Sequence, residues 1–147
     1  MGILTILNSK GSTVHTISRD RSLETCVELM NLKKIGALIV TDAEGKIDGI
    51  ITERDILHAV GKHEGSIQDL KVVEVMTQKS KLIVTDVGNS IENILEIMTN
   101  NRIRHLPVME DGELAGIISI GDVVKDKLNQ TLFENQLMRD YIVGSRT

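Results

Sequence analysis

The sequence predicts an α/β (α+β) fold built from two copies of one small unit, each a three-stranded sheet with two helices, the copies packing about a pseudo-two-fold axis. Three observations lead there. Gly49-Ile50-Ile51 runs into Thr52-Glu53-Arg54-Asp55, and Gly116-Ile117-Ile118 runs into Ser119-Ile120-Gly121-Asp122, so the same strand-to-helix junction occurs twice. Ser22, Glu24, Met30, Ile35 and Leu38 align with Ser90, Glu92, Met98, Ile103 and Leu106 at one constant spacing, which shortens by a single residue across the following turn. In each copy the apolar period changes from strand-like to helix-like at matching places.

Within the first copy, Val14 to Ser18 carries β-branched residues and reads as a short strand. Ser22 is a good N-cap, Glu24 suits the positive end of the helix, and Leu23, Cys26, Val27 and Met30 recur on one helical face up to Lys33-Lys34. Ile35 to Thr41 is a buried-type strand, Asp42 to Lys46 a turn with Gly45 available for positive φ, and Ile47 to Ile51 the returning strand that delivers Thr52. Ile56 to Val60 continues as a helix, and the polar stretch 62–70 as a connecting loop.

The second copy repeats this order. Val72 to Met76 is a short apolar element, Leu82 to Thr85 a strand, and Ser90 caps a helix carrying Ile91, Ile94, Leu95 and Met98. Ile103 to Met109 is a strand in which Pro107 implies an edge or irregular position. Glu110 to Glu113 turns the chain, and Leu114 to Ile118 returns to Ser119. The boundaries fall at 1–61 for the first repeat with its lead, 62–70 for the loop, 71–128 for the second repeat and 129–147 for a C-terminal helix ended by Gly144, with a frayed Ser145-Arg146-Thr147. Each copy alone has too little core to be stable, which is why they are expected to pack together.

Composition narrows the function. A chain of 147 residues with 41% hydrophobic residues forms a core, and that core is aliphatic because Phe133 and Tyr141 are the only aromatic residues. A net charge of −4 without a long basic run, and without aromatic stacking platforms, argues against nucleic acid as partner. No apolar run approaches the ~18 residues that span a bilayer, so no membrane role is expected and the expected location is the cytoplasm. Cys26 is the one cysteine and lies in an apolar helical stripe, so it reads as core. His15, His58 and His63 have no metal-ligand spacing with each other or with Cys26. No nucleophile stands beside a base with an orienting partner, so the chain does not read as an enzyme.

The recurring hydroxyl-x-x-Asp carries the chemistry. Ser or Thr at the N-cap with a carboxylate three residues on is first of all a capping pattern. The same helix start has unpaired N–H groups and a positive dipole end, which suit phosphate. A carboxylate one turn in is placed to accept the two hydroxyls of a ribose, as acidic residues do in dinucleotide folds.

Together, the Gly49-to-Asp55 and Gly116-to-Asp122 stretches and Arg102-Ile103-Arg104-His105-Leu106-Pro107-Val108 resemble the CBS-domain pair, named after the regulatory region of cystathionine β-synthase. The resemblance runs from about residue 3 to 128, and the layout is similar to that of stand-alone bacterial members. It implies a non-enzymatic regulatory module that requires no cofactor, binds AMP, ADP, ATP, NAD(H) or S-adenosylmethionine in clefts between the repeats, and signals energy or redox state to a target protein. It also implies a homodimer through paired repeats. Carried over by residue, one cleft uses Thr52, Arg54 and Asp55 with Ile83, Val84, Arg104, His105, Leu106 and Pro107. The other uses Ser119 and Asp122 with His15, Thr16, Gly36, Ala37 and Leu38. The cation count then favours phosphate at the Thr52–Asp55 cleft. Where some members stack adenine on an aromatic residue, this chain has Gly36 and Arg104. The alternative reading is a structural or interaction module with no physiological nucleotide.

Overall fold

A computed structural model describes residues 2–11 and 13–144; the expected frayed end, 145–147, lies outside them. The elements run α1 (Ile3–Lys10), β1 (Thr16–Ser18), α2 (Leu23–Lys33), β2 (Ala37–Thr41), β3 (Ile47–Thr52), α3 (Glu53–Lys62), α4 (Val72–Val75), β4 (Thr77–Gln78), a 3-10 turn (Lys79–Lys81), β5 (Thr85–Asp86), α5 (Ile91–Asn101), β6 (His105–Glu110), β7 (Glu113–Ser119) and α6 (Ile120–Gly144). The duplicated strand–helix–strand–strand–helix order is therefore as the sequence predicts.

The duplication extends to fine geometry. Ser22 and Ser90 accept from the third helical N–H of α2 and α5. Both helices end on a left-handed non-glycine residue, Lys34 at φ 55° and Arg102 at φ 54°, whose N–H returns to the carbonyl of Met30 and of Met98 respectively. A register shift falls between Val40 and Thr41 in one sheet and between Val108 and Met109 in the other.

The chain forms two compact units, and neither follows sequence order: one comprises 13–83, the other 1–12 with 84–147. Each thus contains the segment that leads into the other repeat. In the 13–83 unit, β1 pairs parallel with β2, β2 antiparallel with β3, and β3 antiparallel with β4. The fourth strand comes from Thr77–Gln78, beyond the loop, and was not expected from sequence. Gly49 makes this closure feasible: a Cβ there would lie 2.1 Å from the Thr77 carbonyl oxygen. The unit's core is Ile17, Leu23, Cys26, Met30, Leu38, Val40, Ile51 and Val72. Cys26 is fully buried and its thiol is pushed up to about 11 by desolvation, as expected of a packing residue rather than a nucleophile.

In the other unit, β5 pairs parallel with β6, and β6 antiparallel with β7. Here α1 takes the covering role, and a Cβ at Gly116 would meet Leu7 Cδ2 at 2.8 Å. The apolar opening of the chain is therefore a helix with Ile3, Ile6 and Leu7 buried. The expected strand at 82–85 is shorter, because only Thr85 and Asp86 pair with β6. Pro107 lies in the middle strand of the sheet, not on an edge; β5 reaches only Val108 and Met109, so Pro107 stands beyond the end of that short partner. The helix after Ser119 and the C-terminal helix are one element of 25 residues, since no Gly or Pro interrupts the chain between Asp122 and Val143.

Candidate functional site

Thr52 is the last residue of β3 and the N-cap of α3. Its Oγ1 accepts from the Asp55 N–H at 3.3 Å, and Asp55 Oδ2 accepts from the Thr52 N–H at 3.0 Å and from the Thr52 hydroxyl at 3.2 Å. This reciprocal box satisfies two otherwise orphaned donors and pins the carboxylate over the helix start. The remaining oxygen, Oδ1, accepts from Thr77 Oγ1 of β4 at 3.2 Å. Ala37 pairs with Thr52 across β2–β3, and the Glu53 N–H donates to the Gly36 carbonyl at 3.0 Å. Arg54 is exposed in the first turn of α3.

Ser119 repeats the arrangement. Its Oγ accepts from the Asp122 N–H at 3.1 Å, and Asp122 Oδ2 accepts from the Ser119 N–H at 2.8 Å. The same Oδ2 also takes the ammonium of Lys10 at 2.6 Å. His105 pairs with Ser119 across β6–β7, and the Ile120 N–H donates to the Arg104 carbonyl at 2.8 Å. Sequence reasoning assigned Arg104 and His105 to the Thr52 cleft, and Gly36 and Ala37 to the Ser119 cleft. Within each sheet, Arg104 and His105 adjoin Ser119, and Gly36 and Ala37 adjoin Thr52.

The two carboxylates differ electrostatically. Burial pushes Asp55 up, and the hydrogen bonds from Thr52 and Thr77 recover only part of this, so its carboxyl stays above the usual value. Burial also pushes Asp122 up, but the Lys10 ammonium and the Ser119 N–H outweigh it and hold the carboxyl below the usual value. Asp122 therefore contributes stability that is present above its unfolded pKa and lost as pH falls through the lower folded pKa. Asp55 contributes in the opposite sense: its term is fully present below the unfolded pKa and lost as pH rises through the raised folded value. Carboxyl carbon NMR over an acid titration should show Asp122 titrating below Asp55; the reverse order would contradict the Lys10 pairing.

Other expected site residues have mixed positions. The carbonyl of His15 accepts from the Ile39 N–H at 3.1 Å, and Thr16 is exposed at the start of β1. Ile83 and Val84 lie in the extended stretch before β5, with Val84 exposed. Leu38 and Leu106 are fully buried, so their side chains belong to the core and only their backbone is available to a site. A hollow of about 420 Å³ opens between α2 and α3, lined by Val27, Met30, Lys34, Gly36, Glu53 and Ile56 among others. Gly36 is the one expected site residue among those lining it.

Two side chains on these aspartates went unnoticed in the sequence, Lys10 and Thr77. Each belongs to a lead segment, and no local pattern joins them to carboxylates 112 and 22 residues away. Among the described residues there is no cluster of three or more His, Cys, Asp or Glu fit for a metal, and no helix long and apolar enough to cross a membrane.

The sequence and fold are similar to those of known proteins. The CBS-domain family model matches residues 11–62 and 72–129. A mitochondrial CBS domain-containing protein of Arabidopsis thaliana, CBSX3, is 33% identical over 145 residues, covering 95% of this chain and 70% of that protein. The crystal structure of a CBS-domain containing protein from Agrobacterium tumefaciens is similar with a TM-score of 0.81 and 39% identity, covering 86% of this chain and 99% of that one. A hexameric CBS-CP12 protein from bloom-forming cyanobacteria is similar at a TM-score of 0.71 and 28% identity, over 84% of this chain and 69% of that one. With a domain match in each repeat and relatives matched over most of their length, the chain belongs to the CBS-domain family as a tandem pair, a class of proteins with regulatory or signalling roles.

Proposed function

We propose that this CBS pair is a non-enzymatic regulatory module that binds adenosine-containing ligands (AMP, ADP, ATP, NAD(H) or S-adenosylmethionine) at its two hydroxyl-x-x-Asp helix starts. The observation that carries the reading is the pair of reciprocal boxes, Thr52–Asp55 and Ser119–Asp122. Each fixes a carboxylate at a helix N-terminus, so that an acceptor for the hydroxyls of a diol and N–H donors for a phosphate lie side by side. An ionised carboxylate has about four lone-pair positions, so Asp55 and Asp122 keep acceptor capacity beyond their present partners. Arg104 and His105 beside Ser119 give that end the stronger preference for phosphate, and Lys10 adds to it. The ligand changes the protein only by its unequal affinity for two arrangements, which a target protein in the cytoplasm then reads. The working form is a homodimer; a hexameric relative supports self-association as a property of such pairs.

A thermal-shift screen with AMP, ATP, NADH and S-adenosylmethionine tests this. A ligand at 100 times its Kd adds about 2.7 kcal/mol, and Asp55→Ala or Asp122→Ala removes the shift from the corresponding end. A second reading, an interaction module without nucleotide, is favoured by the exposed apolar side chains of α6. It prevails if none of the four ligands shifts the wild-type protein.

A further inference from the structure

Thr52–Asp55 and Ser119–Asp122 have the same backbone box, yet different groups complete them. Asp55 receives a neutral hydroxyl from Thr77, whereas Asp122 receives the ammonium of Lys10. Lys10 is the last residue of α1, and its Nζ also donates to the Ile117 carbonyl at 3.0 Å. One turn further along the same face of α6, Asp126 is buried with Oδ2 lacking a hydrogen-bond partner. Without Lys10, this start of α6 would carry two carboxylates on one face, and their charge would oppose an incoming anion. With Lys10 in place, the nearer carboxylate is paired with an ammonium at 2.6 Å, and the opposition to an anion at this helix start is reduced.

We propose that Lys10 is the charge-selecting residue of the Ser119–Asp122 end: it holds Asp122 in the ligand-free protein, yields that carboxylate to the hydroxyls of a ligand, and stays as counter-ion to the ligand's phosphate. The inference rests on the nucleotide-binding reading above. A lysine suits the task because it is a point charge with three donors on a flexible stem, and here its side chain is 37% exposed and has room to move. A neutral nucleoside must displace the ammonium and gives it no new partner. A nucleotide displaces it and supplies one. Thr77 has no charge to transfer, so the Thr52–Asp55 end lacks this discrimination.

The test is titration of wild type, Lys10→Met and Lys10→Arg with AMP and with adenosine, each read at the Ser119 and Asp122 amide resonances so that only this end is observed. Met keeps the apolar stem without the charge. Lys10→Met should weaken AMP about tenfold or more and leave adenosine unchanged or tighter, while Lys10→Arg restores most of the preference for AMP. Equal changes for both ligands, or no change for either, would show a purely structural lysine and overturn the proposal while leaving the nucleotide reading intact. Wild-type protein that binds neither ligand would remove that reading and this inference with it.

Discussion

Gly49→Ala destabilises the protein by about 3 kcal/mol or more, whereas Gly116→Ala, the equivalent change in the second repeat, removes about 1 kcal/mol. Both glycines follow the register shift of their hairpin and both are closely approached, but by different material. At Gly49 the new methyl would lie 2.1 Å from the Thr77 carbonyl oxygen and 3.2 Å from its carbon, which are backbone atoms held in the β3–β4 ladder. They move only by breaking that pairing, so the substitution combines overpacking with lost hydrogen bonds; overpacking alone is worth roughly 1–3 kcal/mol. At Gly116 the obstacle is Leu7 Cδ2 at 2.8 Å, the end of a side chain that has other rotamers. Urea denaturation of both variants measures the difference. Equal losses would mean that β4 is less firmly seated than its register implies. Because Thr77 also donates to Asp55, Gly49→Ala should in addition weaken ligand binding at the Thr52 end without affecting the Ser119 end.

The protein should sediment and scatter light as a homodimer at tens of micromolar, twice the chain mass of 16.2 kDa, and Phe133→Glu combined with Leu137→Lys should convert it to a monomer that retains its fold. On α6, Leu128, Leu132, Phe133, Leu137, Met138 and Tyr141 are all more than half exposed, Phe133 at 65% and Tyr141 at 78%. Single exposed apolar residues are ordinary, but this number on one continuous helix exceeds what a monomer leaves in water. An interface of standard size buries about 800 Å² per partner, and large apolar side chains spread over about four helical turns of α6 are the exposed surface most able to contribute to it. A clean monomer for the wild-type chain would sink the idea. A dimer unaffected by the double substitution would shift the contact from α6 to the repeats.

Much of this architecture was legible because each signal was local. Ser22 and Ser90 cap their helices in the sequence as they do in space, and Thr52-x-x-Asp55 and Ser119-x-x-Asp122 announce boxes whose partners are three residues apart. What stayed hidden depends on distant pairing. Thr77-Gln78 is too short to show a period, and it is a strand only because β3 offers an edge to it. Leu82 is apolar and Ile83 and Val84 are β-branched, yet none of them joins the β5–β6 ladder, since propensity is overridden where no neighbouring strand is available. The continuity of α6 was readable in principle: no breaker separates the junction helix from the tail. The family resemblance carries Arg104 and His105 to the Thr52 end, a relation between repeats; within its own sheet, register pairs His105 with Ser119.

The exchange of lead segments has a consequence for the order in which the chain is made. Everything that composes the 13–83 unit, including the strand that closes its sheet, has been synthesised before the second β-α-β-β run begins. The other unit cannot be completed until β7 emerges, because Ile3, Ile6 and Leu7 belong with a strand that includes Gly116. During synthesis at about 5–20 residues per second, α1 therefore spends several seconds as a short apolar segment without its partner. An isolated helix of eight residues is too short to persist in water by itself. The α1 segment is thus made long before the strand it packs on and is among the last parts of its unit to fold, and until β7 is made its apolar side chains are open to misassociation.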